Sequence, residues 1–180
     1  MKTSLGGLLF LILVLLGCST STEPDYNKYY ESLSNLDAKQ TIEKANEWGK
    51  SATKISSYIN TEQVVIEFPD GKVVTKNLPD DLFYLAVAPY INTTHDCLIH
   101  YPSSCSGEMK LKNVKVTAKD EDGSIIIDEF VSTLSNGFFE LWLPRNKNIN
   151  LTIVDGNKSG NETLSTMIDS RTCVTTIKLD

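Results

Sequence analysis

Within eleven residues, from His95 to Cys105, the chain places both of its histidines and two of its four cysteines. The spacing is H-x-C-x-x-H-x-x-x-x-C. A third thiol, Cys173, lies far along the chain in Thr172-Cys173-Val174-Thr175-Thr176. Thiolates are soft donors that suit Cu(I), zinc or iron–sulfur clusters, and imidazole suits copper and zinc. Three sulfurs can make a trigonal site that Cu(I) accepts, whereas structural zinc takes four ligands. Seven residues separate Cys97 from Cys105, more than in the usual zinc knuckle. His95 or His100 as a fourth ligand keeps a zinc site open, and the same imidazoles suit first capture of Cu(II).

Other readings of the cluster stay open at this level. A Cys97–Cys105 disulfide would close a short loop and contribute about 2–3 kcal/mol. Cys97 with a neighbouring histidine could form a nucleophile pair. Each histidine could equally be a hydrogen-bonding loop residue, and Met109 and Met167 fit core packing better than thioether ligation. Most enzyme classes find no support. A Ser-His-Asp triad would have to take its base from the cysteine cluster, and no glycine-rich phosphate loop is present. The net charge of −6, without a basic patch, argues against a nucleic-acid partner.

The N-terminus reads as an address. Lys2 precedes an apolar run from Leu8 to Leu16, the pattern of a signal peptide and too short for a membrane-spanning helix of about 20 residues. The run ends in Leu15-Leu16-Gly17-Cys18, which resembles a bacterial lipobox. That resemblance implies cleavage after residue 17 and lipidation of Cys18, and so a membrane anchor facing the periplasm or the cell surface. Three thiols then remain, an odd number for an exported protein. Residues 18–36, rich in Ser, Thr, Glu, Pro, Asp and Asn, read as a loosely ordered tether. Sequons such as Asn92-Thr93-Thr94 read as turn residues.

The cluster must be positioned by the elements that follow. Asp37 and Gln40 make a capping box. Ala38, Ile42, Ala45, Trp48, Ala52, Ile55 and Ile59 recur at steps of three and four, which predicts a helix from Asp37 to Ile59 with Gly49 weakening its middle. Its stripe serves either packing within its own domain or a homodimer. Val64 to Phe68, Pro69-Asp70-Gly71 and Lys72 to Leu78 predict a hairpin, and Leu82 to Ala88 a buried strand. Residues 37–90 thus form an expected helix-and-hairpin domain, and 91–180 a β-sandwich domain carrying the site. Strands are expected at 114–118, 124–131, 138–144, 149–153, 163–167 and 173–179. The fold class is α+β, and V-x-V-T-x-x-D-x-D-G followed by N-G-F-F-E-L-W-L-P resembles a prealbumin or immunoglobulin-like sandwich module.

Ala88-Pro89-Tyr90-Ile91-Asn92-Thr93-Thr94-His95-Asp96-Cys97, then His100 and Cys105-Ser106-Gly107-Glu108, resemble the CueP family of periplasmic copper-binding proteins. So do Asn136-Gly137-Phe138, Leu141-Trp142-Leu143-Pro144-Arg145 and Thr172-Cys173-Val174-Thr175-Thr176. The resemblance runs from about Val64 to the C-terminus. It implies copper resistance or copper supply in the envelope, with Cys97, Cys105 and Cys173 as the copper-binding residues. A copper-accepting client or a thiol reductase is the partner such a role calls for. Two of these thiols could also reduce Cu(II) stoichiometrically. The competing expectation is a structural or interaction lipoprotein with a Cys97–Cys105 disulfide, or a zinc-binding one.

The address segment makes the first prediction. Cys18→Ala should move the protein from the membrane to the soluble fraction of lysed cells. Unchanged sedimentation with membranes would refute lipid anchoring.

Overall fold

The computed structural model describes residues 24–49 and 54–180. The signal segment, Cys18 and the first part of the expected tether, up to residue 23, lie outside those residues, as does Ala52. No helix among the described residues is long and apolar enough to cross a membrane.

The first ordered element replaces part of the tether. Asp25 caps α1 (Tyr26–Ser32) through its side chain, which accepts from the Asn27 N–H. Helix α1 is held by aromatic contacts of a kind the composition of 18–36 does not advertise. Tyr29 meets Trp48 edge-on at 5.2 Å, Tyr30 meets Phe68 at 5.8 Å, and Leu33 is fully buried.

Helix α2 (Ala38–Trp48) begins as expected, with both halves of the Asp37–Gln40 capping box formed. It ends at Trp48, eleven residues short of the Ile59 that the helical reading expects. Gly49 has φ +41° and donates its N–H to the Ala45 carbonyl at 2.9 Å, so the glycine is the terminus of the helix rather than a weak middle. Ile55 and Ile59 lie instead on or beside strand β1 (Ser56–Ile59). The error has a geometric cause. A step of four returns to the same face in a helix and also in a strand, whose period is two. Ile55, Ser57 and Ile59 are the buried set, and Asn60 opens a turn by accepting from the N–H groups of Glu62 and Gln63. Ala38, Ile42 and Ala45 of α2 are buried within their own chain.

Strands β2 (Gln63–Glu67) and β3 (Val73–Asn77) pair antiparallel across Asp70-Gly71, and β1 adds to the other edge of β2. Strand β4 (Leu82–Val87), β7 (Phe139–Pro144) and β10 (Cys173–Val174) form a second sheet in the order β10-β4-β7. Strands β5 (Asn113–Lys119), β6 (Ile125–Ser132), β8 (Asn148–Asp155) and β9 (Lys158–Ser165) form a third, in the order β6-β5-β8-β9. The chain is therefore mixed α+β and mostly strand, and its second and third sheets face each other over a common core. Phe83, Leu85 and Val87 of β4 with Leu141 and Leu143 of β7 meet Val114, Val116, Leu151 and Ile153 from the third sheet.

The opposite face of the middle sheet is buried as well. Tyr84, Ala86 and Ala88 pack with Phe138, Cys105 and Cys173 against Ile42, Ile59 and Ile66. Three layers result, and β4 is sandwiched between the outer two. That explains why residues 82–88 are an unbroken apolar run.

Two strands differ from the sequence expectation. Strand β9 begins at Lys158, not Thr163, because its pairing with β8 starts right after the Asp155–Lys158 turn. It is an edge strand with an alternating, largely polar surface, so it carries little apolar signal. The expected strand at 173–179 is a two-residue ladder followed by an isolated Tyr90–Lys178 bridge.

Candidate metal centre

The site is assembled from three segments that approach β4. The first is the loop after Val87 that carries His95 and Cys97. Glu108 holds its start: the carboxylate accepts from the N–H groups of Ile91, Asn92 and Thr93 at 2.9, 2.9 and 3.1 Å, and from Asn92 Nδ2. Those bonds, the Asn92 N–H first, hold its carboxyl down at about 2, so it stays charged through the physiological range.

The second segment is a tight turn at 101–105, closed by the N–H groups of Ser104 and Cys105 on the Tyr101 carbonyl. Its exit is fixed by a backbone approach between Gly107 and Gly137. A Cβ on Gly137 would lie 2.5 Å from the Gly107 carbonyl oxygen, and φ there is +86°. Only glycine fits, and the Gly107 N–H donates to the Asn136 carbonyl at 2.6 Å.

The third segment is β10. It pairs parallel with β4, Cys173 opposite Ala86, through the Ala86 N–H to Thr172 and the Ala88 N–H to Val174. Its flanking threonines tie it to the loop. Thr172 Oγ1 donates to the Ile59 carbonyl at 2.6 Å and accepts from the His100 N–H at 3.2 Å. Thr175 Oγ1 donates to the His95 carbonyl at 2.5 Å, and the Thr94 hydroxyl donates to the Thr175 carbonyl. Sequence reasoning assigned no role to Glu108, Thr172 or Thr175. Each acts on backbone groups of a distant segment, which leaves no spacing to read.

Five donors converge. Cys97, Cys105 and Cys173 are all free thiols. Cys97 Sγ and Cys105 Sγ lie 3.6 Å apart. The ligand atoms of His95, Cys97 and Cys105 all lie within 4.8 Å of one another, and so do those of His100, Cys105 and Cys173. His95 is exposed, whereas His100 is fully buried between Phe138 (4.7 Å) and Tyr84 (6.2 Å). Both ring nitrogens of His100 are buried without a hydrogen-bond partner. Met109 is buried in the sandwich core, apart from the donors.

The electrostatics centre on Cys105. Its contacts with Cys173 and Cys97, then the neighbouring His100 ring and the Tyr101 N–H at 3.3 Å, hold this thiol far below its ordinary value. Its two neighbours move the other way. Cys97 is pushed up to about 12, chiefly by its contact with Cys105, and Cys173 is raised strongly for the same reason. Within the cluster Cys105 thus gives up its proton most readily, and Cys97 and Cys173 hold theirs. Copper or another soft cation would displace the two remaining protons. An open cavity of about 670 Å³, lined by His95, Cys97, Leu98, Tyr101 and Cys105 among others, gives access from solvent.

The family model described as periplasmic copper-binding protein CueP matches residues 38–178. The crystal structure of S.CueP aligns with a TM-score of 0.78 at 29% sequence identity, covering 86% of this chain and 96% of that chain. No curated protein matches the chain.

The site's ionisation is open to a direct check. In metal-free, reduced protein, thiolate absorbance near 240 nm should show one equivalent already present at neutral pH, and Cys105→Ser should abolish it. Three thiols titrating together near pH 9 would contradict the arrangement.

Proposed function

Because the chain belongs to the CueP family of periplasmic copper-binding proteins, we propose that it binds copper in the cell envelope as Cu(I), one ion per chain, through the thiolates of Cys97, Cys105 and Cys173. The observation that carries this reading is the convergence of three free thiols and two imidazoles from three segments, with Cys105 between them. Soft sulfur donors in a largely buried pocket favour Cu(I) over harder divalent ions. Cys18 would anchor the protein to a membrane through lipid, keeping the site in the periplasm or at the surface. The role is copper resistance or copper supply.

Substitution of one thiol tests the ligand set. Cys173→Ser should weaken Cu(I) binding by more than about 100-fold, the upper end of what loss of an outer-shell partner costs a metal site. Competition against a Cu(I) chelator measures it. Parental affinity in Cys173→Ser would sink the three-thiol site.

The 3.6 Å contact between Cys97 and Cys105 supports a further step of the same chemistry. Closing that pair to a disulfide, about 2.05 Å between sulfurs, releases two electrons and the proton held by Cys97, Cys105 having already lost its own. Each Cu(II) accepts one electron, so two ions are reduced per disulfide. The exposed His95 would hold the incoming Cu(II). Repetition requires a thiol reductase as partner. Anaerobic addition of Cu(II) to reduced protein should yield two Cu(I) and consume two thiols. Copper that stays divalent with every thiol intact would overturn reduction while leaving Cu(I) binding standing.

A further inference from the structure

The five donors do not surround one point symmetrically. Cys97 belongs to the set with His95, and Cys173 to the set with His100, while Cys105 belongs to both. The two sets differ in depth. His95 is exposed and Cys97 half-buried on the wall of the open cavity. His100 and Cys173 are fully buried, and Cys105 is 8% exposed. Each set alone suits a three-coordinate ion. Trigonal donors at bond lengths of about 2.3 Å stand about 4 Å apart, within the separation both sets already show.

His100 supplies the independent observation. A buried imidazole ordinarily satisfies its ring nitrogens, and leaving both unpaired is costly. Neither nitrogen has a hydrogen-bond partner. Its backbone is nevertheless pinned twice, by the His100 carbonyl accepting from the Ile59 N–H at 2.9 Å and by the Thr172 hydroxyl. Phe138 and Tyr84 flank the ring. The ring is therefore held beside the Cys105 and Cys173 sulfurs, near enough to help lower the Cys105 thiol but with no well-formed hydrogen bond at either nitrogen.

We infer that copper occupies two positions in succession, an outer one among His95, Cys97 and Cys105 and an inner one among Cys105, Cys173 and His100, turning about Cys105 as the shared ligand. This rests on the reading that the chain binds one Cu(I) with Cys97, Cys105 and Cys173, and replaces a single shell of three thiolates with two shells that share Cys105. Entry uses the accessible donors. The Cys105–copper bond persists while the bonds to His95 and Cys97 break and those to Cys173 and His100 form. Cys173 releases its thiol proton as it binds, and Cys97 takes one back from water in the cavity. No electron moves in this step. The outer position sets how fast copper is captured or surrendered, and the inner one sets how long it is kept.

The test separates the two positions by rate. Fully reduced protein is mixed with Cu(I) from a weak chelator, and uptake and later release to a strong chelator are followed by stopped flow. Cys97→Ser and the surface variant His95→Asn should slow uptake at least about tenfold and leave the release of loaded copper within about threefold of the parent. Cys173→Ser should keep parental uptake and release at least about tenfold faster. X-ray absorption on the loaded parent, which needs no variant, should show an imidazole shell beside sulfur, and His100→Asn should lose it. Equal effects of Cys97→Ser and Cys173→Ser on both rates would overturn the two positions, as would sulfur ligands alone in the parent. Two ions bound at once would overturn them too. A parent that binds no Cu(I) would instead bring down the underlying reading of Cu(I) binding, whereas sulfur ligands alone would leave a single three-thiolate shell standing.

Discussion

Two backbone hydrogen bonds decide where this site can exist. The N–H groups of Ala86 and Ala88 donate to the carbonyls of Thr172 and Val174, at 2.9 and 2.8 Å. They form a parallel ladder only two residues long, and it carries Cys173 from the far end of the chain to the cysteine loop. A parallel pair requires a long connection, and nearly the whole sandwich serves as that connection. Strand β4 can accept β10 at one edge because β7 fills the other. Burial on both faces then excludes water from the ladder, so its groups have no alternative partners.

The same strand supplies the inner wall of the site. Tyr84 points toward the layer that holds His100, and its hydroxyl donates to Glu140 at 2.6 Å. Burial, and then the Glu140 charge, raise the Tyr84 phenol well above its ordinary value, so it remains a neutral donor. Asn46 on α2 donates to the same Glu140 oxygen at 2.8 Å, so the helix layer is bonded to the sheet behind the metal donors. In such a low-dielectric setting a lone thiolate needs donors close by. Cys105 has them in Cys97, Cys173 and the Tyr101 N–H, which is why charge concentrates on it rather than on its neighbours.

Legibility in the sequence followed how local each determinant is. The Asp37–Gln40 box, the turn at Asp70-Gly71 and the alternation of Val114, Val116 and Ala118 act over a few residues, and each has its structural counterpart. From Ile55 to Asn60 the sequence suggests helix where the structure has strand and turn, because Ile55 and Ile59 satisfy both periods, and Gly49 ends the helix where the periodicity places its interior. Helix α1 was missed because its stability comes from Trp48 and Phe68, aromatic partners outside its own segment. Strand β9 was clipped because an exposed edge needs little apolar surface.

What the sequence determined by itself was the chemistry: which donors exist, that they are soft, and that His95, Cys97, His100 and Cys105 share one loop. Residue type and short spacing settle those matters without a fold. Only the tertiary structure decided the arrangement. It brought Cys173 opposite Ala86, buried His100 with no polar partner, left His95 in solvent, and placed Cys105 where both donor sets meet. Burial and donor separation depend on layers packed from distant segments, and no pattern along the chain records how deep a side chain will lie.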